Sequence, residues 1–166
     1  PPHEWNVDFP HLMLRAKAQR YKNEGASFRD NLLTSTDMVG KLATIPVVDV
    51  TVNAFNNNGL FRNALESTLG VHKEAPLPEY HSKTLRKQFV SDTITPKPVG
   101  RTTGKVAFYA TCYGNYNTPH LGEDFSTVFR HNGIHMELVT KEACCGMPKF
   151  ELGDLDSVHK LKEKNI

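Results

Sequence analysis

The sequence predicts an α/β protein, with a helical amino-terminal half followed by a small parallel βαβ unit. Apolar residues recur at helical spacing through residues 11–70, whereas residues 105–111 and 134–140 are short apolar runs typical of strands. A helical pattern over residues 121–131 lies between the two runs. A strand, a helix and a second strand in this order predict parallel strands joined by a crossover helix.

The part before the first strand, residues 1–104, is expected to form a helical segment and a proline-rich connector. Residues 46–55 are β-branched, but Pro46 suits a first helical turn. Residues 71–104 contain four prolines and form the connector, with one short basic helix inside it. The predicted helices cover residues 11–21, 28–45 (weakened by Gly40 and ended by Pro46), 46–55, 60–69, 82–89 and, after the second strand, 153–164.

The bulk composition is that of an ordinary globular protein. The 166 residues carry a formal net charge of only +2, which gives a general nucleic-acid role little support. No apolar run of about 18 residues is present, and no export signal opens the chain. We therefore expect a cytoplasmic protein, with peripheral attachment to the inner face of the cell membrane as an alternative.

Three cysteines carry the candidate chemistry. Cys112 follows the first predicted strand, and the adjacent Cys144 and Cys145 follow the second. Because the carboxyl ends of parallel strands meet at one edge of a sheet, we expect the three thiols at one site. Thiolates hold iron in iron–sulfur proteins, and Gly114 and Gly146 would let backbone N–H groups approach such a centre.

The pattern alone leaves three interpretations open. The cysteines hold a metal, or Cys144 or Cys145 is the nucleophile of a metal-free thiol–disulfide protein, or the chain is a helical interaction module with buried cysteines. Three cysteines are too few for a disulfide scaffold, and an odd number leaves one cysteine over. A basic patch formed by His81, Lys83, Arg86 and Lys87 is interpreted as a solvated face, with docking of an acidic redox partner as the alternative.

The cysteine pattern resembles a known family. Lys105–Thr111, then Cys112-Tyr113-Gly114-Asn115, then Ala143-Cys144-Cys145-Gly146-Met147 is similar to the CCG cysteine-rich domain. That domain occurs in the B subunit of heterodisulfide reductase, in iron–sulfur subunits of glycolate and lactate oxidases, and in the C subunit of anaerobic glycerol-3-phosphate dehydrogenase. The family motif ends in Cys-X-X-Cys, which this chain lacks. Residues 105–166 therefore resemble a truncated CCG domain, of which only the amino-terminal part is present.

The resemblance implies an electron-transfer component of an oxidoreductase complex. Such a component passes electrons from a dehydrogenase or flavin partner to a quinone, a disulfide or another carrier. Cys112, Cys144 and Cys145 would be ligands of an iron–sulfur cluster of the 4Fe–4S type, with Gly114 and Gly146 beside it. We expect the site to be incomplete in this chain, no catalytic residue within it, and other subunits or domains of the complex as partners, with peripheral membrane association left open.

Overall fold

A computed structural model of the chain describes residues 4–5, 8–90, 94–98, 100–101 and 103–166. Residues 1–3 and 6–7, and residues 91–93, 99 and 102 of the predicted connector, lie outside the described residues. The elements within the described part are α1 (Phe9–Glu24), α2 (Phe28–Leu33), α3 (Thr36–Ala43), α4 (Val48–Asn56), α5 (Gly59–Leu69), α6 (Leu85–Gln88), β1 (Lys105–Phe108), α7 (Cys112–Tyr116), α8 (His120–His131), β2 (His135–Leu138), α9 (Met147–Leu152) and α10 (Leu155–Asn165).

Most of the predicted helices form where their end signals place them. α1 ends at Gly25, whose N–H donates to the carbonyl oxygen of Tyr21. α5 ends at Gly70, which adopts the left-handed conformation that glycine accepts without steric cost. Residues 48–56 are helical despite their β-branched composition. Pro46, expected in the first helical turn, lies before α4, and the amino end of α4 has no side-chain cap, so local end signals do not account for this helix.

The single helix predicted over residues 28–45 is wrong, because the chain forms α2 and α3 with a break between them. At the break, Thr34 Oγ1 donates to the Asp30 carbonyl at 2.7 Å and Ser35 Oγ donates to the Asn31 carbonyl at 2.6 Å. Side chains that bond backbone carbonyls in this way compete with the helical ladder.

Gly40 lies buried inside α3, which continues past it to Ala43. A Cβ at this position would sit 2.2 Å from the Tyr116 ring. The absence of a side chain at Gly40 therefore permits α3 and Tyr116 to pack closely, which is a tertiary role that the sequence pattern does not indicate.

The two strands are parallel, as predicted, and pair from Lys105↔His135 to Phe108↔Leu138. Both are shorter than expected. α8 connects them and packs on β2, and its Phe125 ring lies 5.6 Å from the ring of Phe108 on β1. The short helices α7 and α9 were not predicted, since five or six residues are too few for a periodic signal.

The chain divides into two compact units, residues 1–36 with 143–166, and residues 37–142. In the first unit, α9 packs against both α1 and α10. The second unit contains the sheet and α4 to α8, and its buried apolar side chains include Leu85, Ala110, Tyr116 and Met136. The division at residue 104 into a helical segment and a CCG-like part remains a prediction.

An ion pair in the second unit ties the ends of the two strands together. The Arg86 guanidinium pairs with Glu142 and donates to the carbonyls of Val139 and Thr140, both at 3.2 Å. The other carboxylate oxygen of Glu142 accepts the Ala110 N–H at 3.1 Å. The Glu142 side chain is only 4% exposed. This Arg86–Glu142 clamp satisfies backbone groups just past β1 and just past β2, which would otherwise be left unpaired.

Apolar side chains crowd the surface of α3 to α5 in the second unit. No single helix within the described ranges is long and apolar enough to cross a membrane. α3 and α4 meet that length and composition test only as a pair, bent by 113° at their break. The exposed apolar side chains on this surface are Met38, Leu42, Ile45, Val47, Val48, Val50, Phe55, Leu60 and Phe61. A surface this apolar is typical of a contact region.

We predict that Arg86→Ala lowers the free energy of unfolding by roughly 3 kcal/mol, because it leaves a buried carboxylate without its partner. Urea denaturation of the chain measures this change. Adding Glu142→Ala to Arg86→Ala should recover part of the loss, since the stranded charge is then removed.

The matched control is the Lys105–Glu137 pair, which joins β1 and β2 at 3.5 Å with both side chains about half exposed. Lys105→Ala should change stability by less than about 1 kcal/mol. If Lys105→Ala and Arg86→Ala lowered the free energy of unfolding equally, the clamp would not be the dominant interaction between the two strand ends.

Candidate functional site

Cys112 lies past the carboxyl end of β1, as the first residue of α7. It is half-buried and forms no disulfide. Tyr80 lies close to it: burial and the nearby Cys112 thiolate raise the pKa of the Tyr80 phenol, which stays protonated at neutral pH. The Tyr80 backbone is held by Asn53, whose side-chain amide donates to its carbonyl at 2.8 Å and accepts its N–H at 2.9 Å.

Thr111, directly before Cys112, has a strained backbone. Its φ of 57° and ψ of 165° lie close to a region that only glycine commonly occupies. Its Oγ1 accepts the Gly114 N–H at 3.2 Å and thereby caps α7. Strain of this kind persists where the surrounding structure fixes it, and it clusters at functional positions. Thr111 therefore fixes the turn that presents Cys112.

α7 is also anchored to the clamp. The backbone N–H of Arg86 donates to Oδ1 of the buried Asn115 at 3.0 Å. The Tyr116 hydroxyl lies 3.2 Å from a carboxylate oxygen of Asp37. Burial and the Asp37 charge raise the pKa of Tyr116 to about 12. The helix that begins at Cys112 is therefore held at several points along its length.

Cys144 and Cys145 lie in the first unit, on the segment between β2 and α9. The Gly146 N–H lies 3.5 Å from Cys144 Sγ and donates to it, and the Thr36 hydroxyl is 4.0 Å from the same sulfur. The side-chain amide of Asn165 binds the same segment twice, accepting the Ala143 N–H at 2.7 Å and donating to the Cys144 carbonyl at 3.4 Å. Cys145 is exposed.

The two predicted glycines have different local roles. Gly146 is buried with a φ of 83°, in the left-handed region, and a Cβ there would meet Leu161 at 3.3 Å. Its N–H donates to Cys144 Sγ, and a contact of Gly146 with a cofactor remains a prediction. The N–H of Gly114 instead donates to Thr111 Oγ1. A contact of Gly114 with a cofactor remains a prediction.

The placement of all three thiols at one site also remains a prediction. In the part of the chain that the structure describes, no group of three or more His, Cys, Asp or Glu side chains that could hold a metal is found. The donor type nevertheless suits iron, since the residues are thiols and one sulfur accepts a backbone N–H bond. The chain thus supplies donors of the correct chemistry, without a complete ligand set among its described residues.

Sequence patterns do not indicate the roles of Thr111 and Arg86. The basic patch predicted on a solvated face includes Arg86, but its guanidinium is committed to Glu142 and to two carbonyls. Lys87 Nζ likewise donates to the Ser82 carbonyl at 2.9 Å. No local pattern marks Arg86, because the partners of its guanidinium are more than 50 residues away along the chain.

Comparison with known families identifies the carboxyl-terminal part of the chain. Residues 106–166 match the family model of the CCG cysteine-rich domain, and this range contains all three cysteines. The chain thus carries a cysteine-rich domain of the CCG family.

Individual relatives extend the similarity. The chain is 30% identical over 161 residues to the C subunit of anaerobic glycerol-3-phosphate dehydrogenase from Escherichia coli K12, a match that covers 97% of this chain and 39% of that protein. It is 32% identical over 68 residues, 40% of the chain and 14% of the relative, to the B subunit of fumarate reductase (CoM/CoB) from Methanothermobacter marburgensis. An uncharacterized iron–sulfur protein of Methanocaldococcus jannaschii is 31% identical over 62 residues, covering 37% of the chain and 13% of that protein.

The chain spans about two fifths of the length of its Escherichia coli relatives. No solved structure matches it significantly. By name, the first two of these relatives are subunits of a dehydrogenase and of a reductase, and the third is an iron–sulfur protein.

We predict that Thr111→Gly is more stable than Thr111→Ala by about 1 kcal/mol. Both changes remove the cap on α7, but only glycine also relieves the backbone strain. Urea denaturation of the two variants gives the difference directly. A Thr111→Ala variant at least as stable as Thr111→Gly would show that Thr111 is not strained in solution.

Proposed function

We propose that this chain forms part of an iron–sulfur electron-transfer protein, in which Cys112, Cys144 and Cys145 are ligands of one cluster of the 4Fe–4S type. The observation that carries the proposal is the CCG match over residues 106–166, because it includes each of these cysteines. The parallel pairing of β1 and β2 supports it, since both cysteine-bearing segments follow the same edge of the sheet.

The chain's own residues position and tune the site. Thr111 fixes the turn before Cys112, and the Arg86–Glu142 clamp holds the chain just past both strands. The Gly146 N–H donates to Cys144 Sγ, and such bonds stabilise thiolate charge and raise the reduction potential of a bound centre. A bound cluster would supply the one-electron chemistry, while the remaining ligands would come from elsewhere in the protein.

Partner subunits would cover the apolar surface of α3 to α5. Nine large apolar side chains are exposed there, and two of the relatives are subunits by name. The electron donor would be a dehydrogenase or flavin protein, and the acceptor a quinone, a disulfide or another carrier. Location in the cytoplasm, with peripheral attachment to the membrane, belongs to this same proposal.

The proposal is tested by iron and acid-labile sulfide analysis of the natural protein that contains these residues, purified without oxygen. We expect stoichiometric iron and sulfide with charge-transfer absorption, and a large loss of both in Cys112→Ser and Cys144→Ser. The 166-residue chain alone should bind iron poorly. Tyr113→Phe is the matched control, since Tyr113 is an exposed neighbour of Cys112 and should leave the iron content unchanged.

Three other outcomes would overturn the proposal or part of it. A protein without iron whose Cys144 or Cys145 reacts rapidly with an alkylating reagent would be a thiol–disulfide protein. A protein without iron whose thiols all react slowly would be a helical interaction module. Stable, stoichiometric iron in the 166-residue chain alone would contradict the expectation that ligands from elsewhere are required.

A further inference from the structure

Arg62, on α5 of the second unit, is a buried cation with an incomplete set of partners. The residue is 6% exposed. Its Nε donates to the Lys73 carbonyl at 2.8 Å, and its Nη2 donates to the carbonyls of His72 and Ala75 at 2.9 Å and 2.6 Å. These bonds fold the segment after α5 back onto the helix. Nη1 is buried and has no hydrogen-bond partner among the described residues.

The charge of Arg62 also forms no ion pair with a carboxylate of the described residues. A guanidinium stays protonated in proteins, yet none of its partners within the described ranges is a carboxylate. Carbonyl oxygens satisfy donors but carry no net charge, and a buried ion without a counter-charge is strongly unfavourable. A donor nitrogen without an acceptor adds to that penalty. An anion would supply both a counter-charge and an acceptor.

A cavity of about 620 Å³ lies beside Arg62, within the range of small-molecule sites. Its lining is mainly polar and contains a second cation, Lys73, whose ammonium makes no hydrogen bond or ion pair with a described residue. Glu74 is the one carboxylate among the lining residues, so Arg62 and Lys73 leave the lining with a net positive charge. Gly59, at the amino end of the eleven-residue helix α5, adds the positive end of a helix dipole. The polar wall also contains Asn56, Asn57 and Asn63.

We propose that this Arg62 cavity binds a small anion through a carboxylate or phosphate group. The oxyanion would lie between Lys73 and the guanidinium and neutralise the buried charge. The Asn63 amide would serve as a neutral donor, and Nη1 would donate after a small shift of the Arg62 head group. The inference is independent of the cysteines and of the iron–sulfur function, since the cavity lies on residues 56–77.

Calorimetric titration of the full chain with inorganic phosphate and with acetate, against sodium chloride at matched ionic strength, tests the inference. We expect saturable binding of at least one oxyanion and none of chloride. Binding of phosphate alone would identify a phosphate-bearing ligand, binding of acetate alone a carboxylate, and binding of both the shared chemistry. No saturable binding of either, or an equal response to chloride, would overturn the proposal.

Charge variants in the lining give the matched controls and do not touch the bonds that hold Arg62 in place. Lys73→Gln should weaken the affinity about tenfold, through loss of a charge-assisted contact. Glu74→Gln should strengthen it, because a competing carboxylate is removed. Lys160→Gln, at an exposed position of α10 in the other unit, should bind as the parent chain does. Equal effects of Lys73→Gln and Lys160→Gln, or loss of binding in Glu74→Gln, would overturn the inference.

Discussion

The Arg86–Glu142 clamp is the interaction on which the arrangement of the second unit depends. A two-stranded parallel sheet with four-residue strands offers few backbone hydrogen bonds of its own. The clamp adds bonds to Ala110 after β1 and to Val139 and Thr140 after β2, through a carboxylate that is almost fully buried. A buried pair of this kind is valuable for specificity of arrangement, since either charge without the other is strongly unfavourable.

The clamp acts on the segment that presents Cys112. The backbone N–H of Arg86 donates to the side chain of Asn115 in α7. The strained Thr111 fixes the turn before that helix. Fixed geometry matters for electron transfer because a rigid ligand set limits reorganisation when a bound centre changes charge. In the other unit, Asn165 and Gly146 restrain Cys144 through bonds to its backbone segment and its sulfur. The apolar surface of α3 to α5 would serve a different task, the contact with partner subunits.

Features set by local chemistry could be predicted from the sequence, and features set by distant partners could not. The end of α5 at Gly70 and the parallel strand pair follow from glycine conformation and from the order of the elements. The three cysteines could be selected because their spacing is that of the CCG motif. The break at Thr34 and Ser35 could not be predicted, since competition from hydroxyl side chains leaves only a weak signal in any pattern. The roles of Arg86 and Arg62 could not be predicted either, because their partners are set by tertiary contacts.

The central claim is that Cys112 and the Cys144–Cys145 pair form one ligand set, and a short bifunctional thiol reagent tests it most directly. The reduced, iron-free chain would be treated at low concentration and digested, and the linked peptides identified by mass spectrometry. We expect an intramolecular link between Cys112 and Cys144 or Cys145, formed in lower yield in Arg86→Ala. Links confined to Cys144–Cys145, or formed only between separate chains, would contradict it.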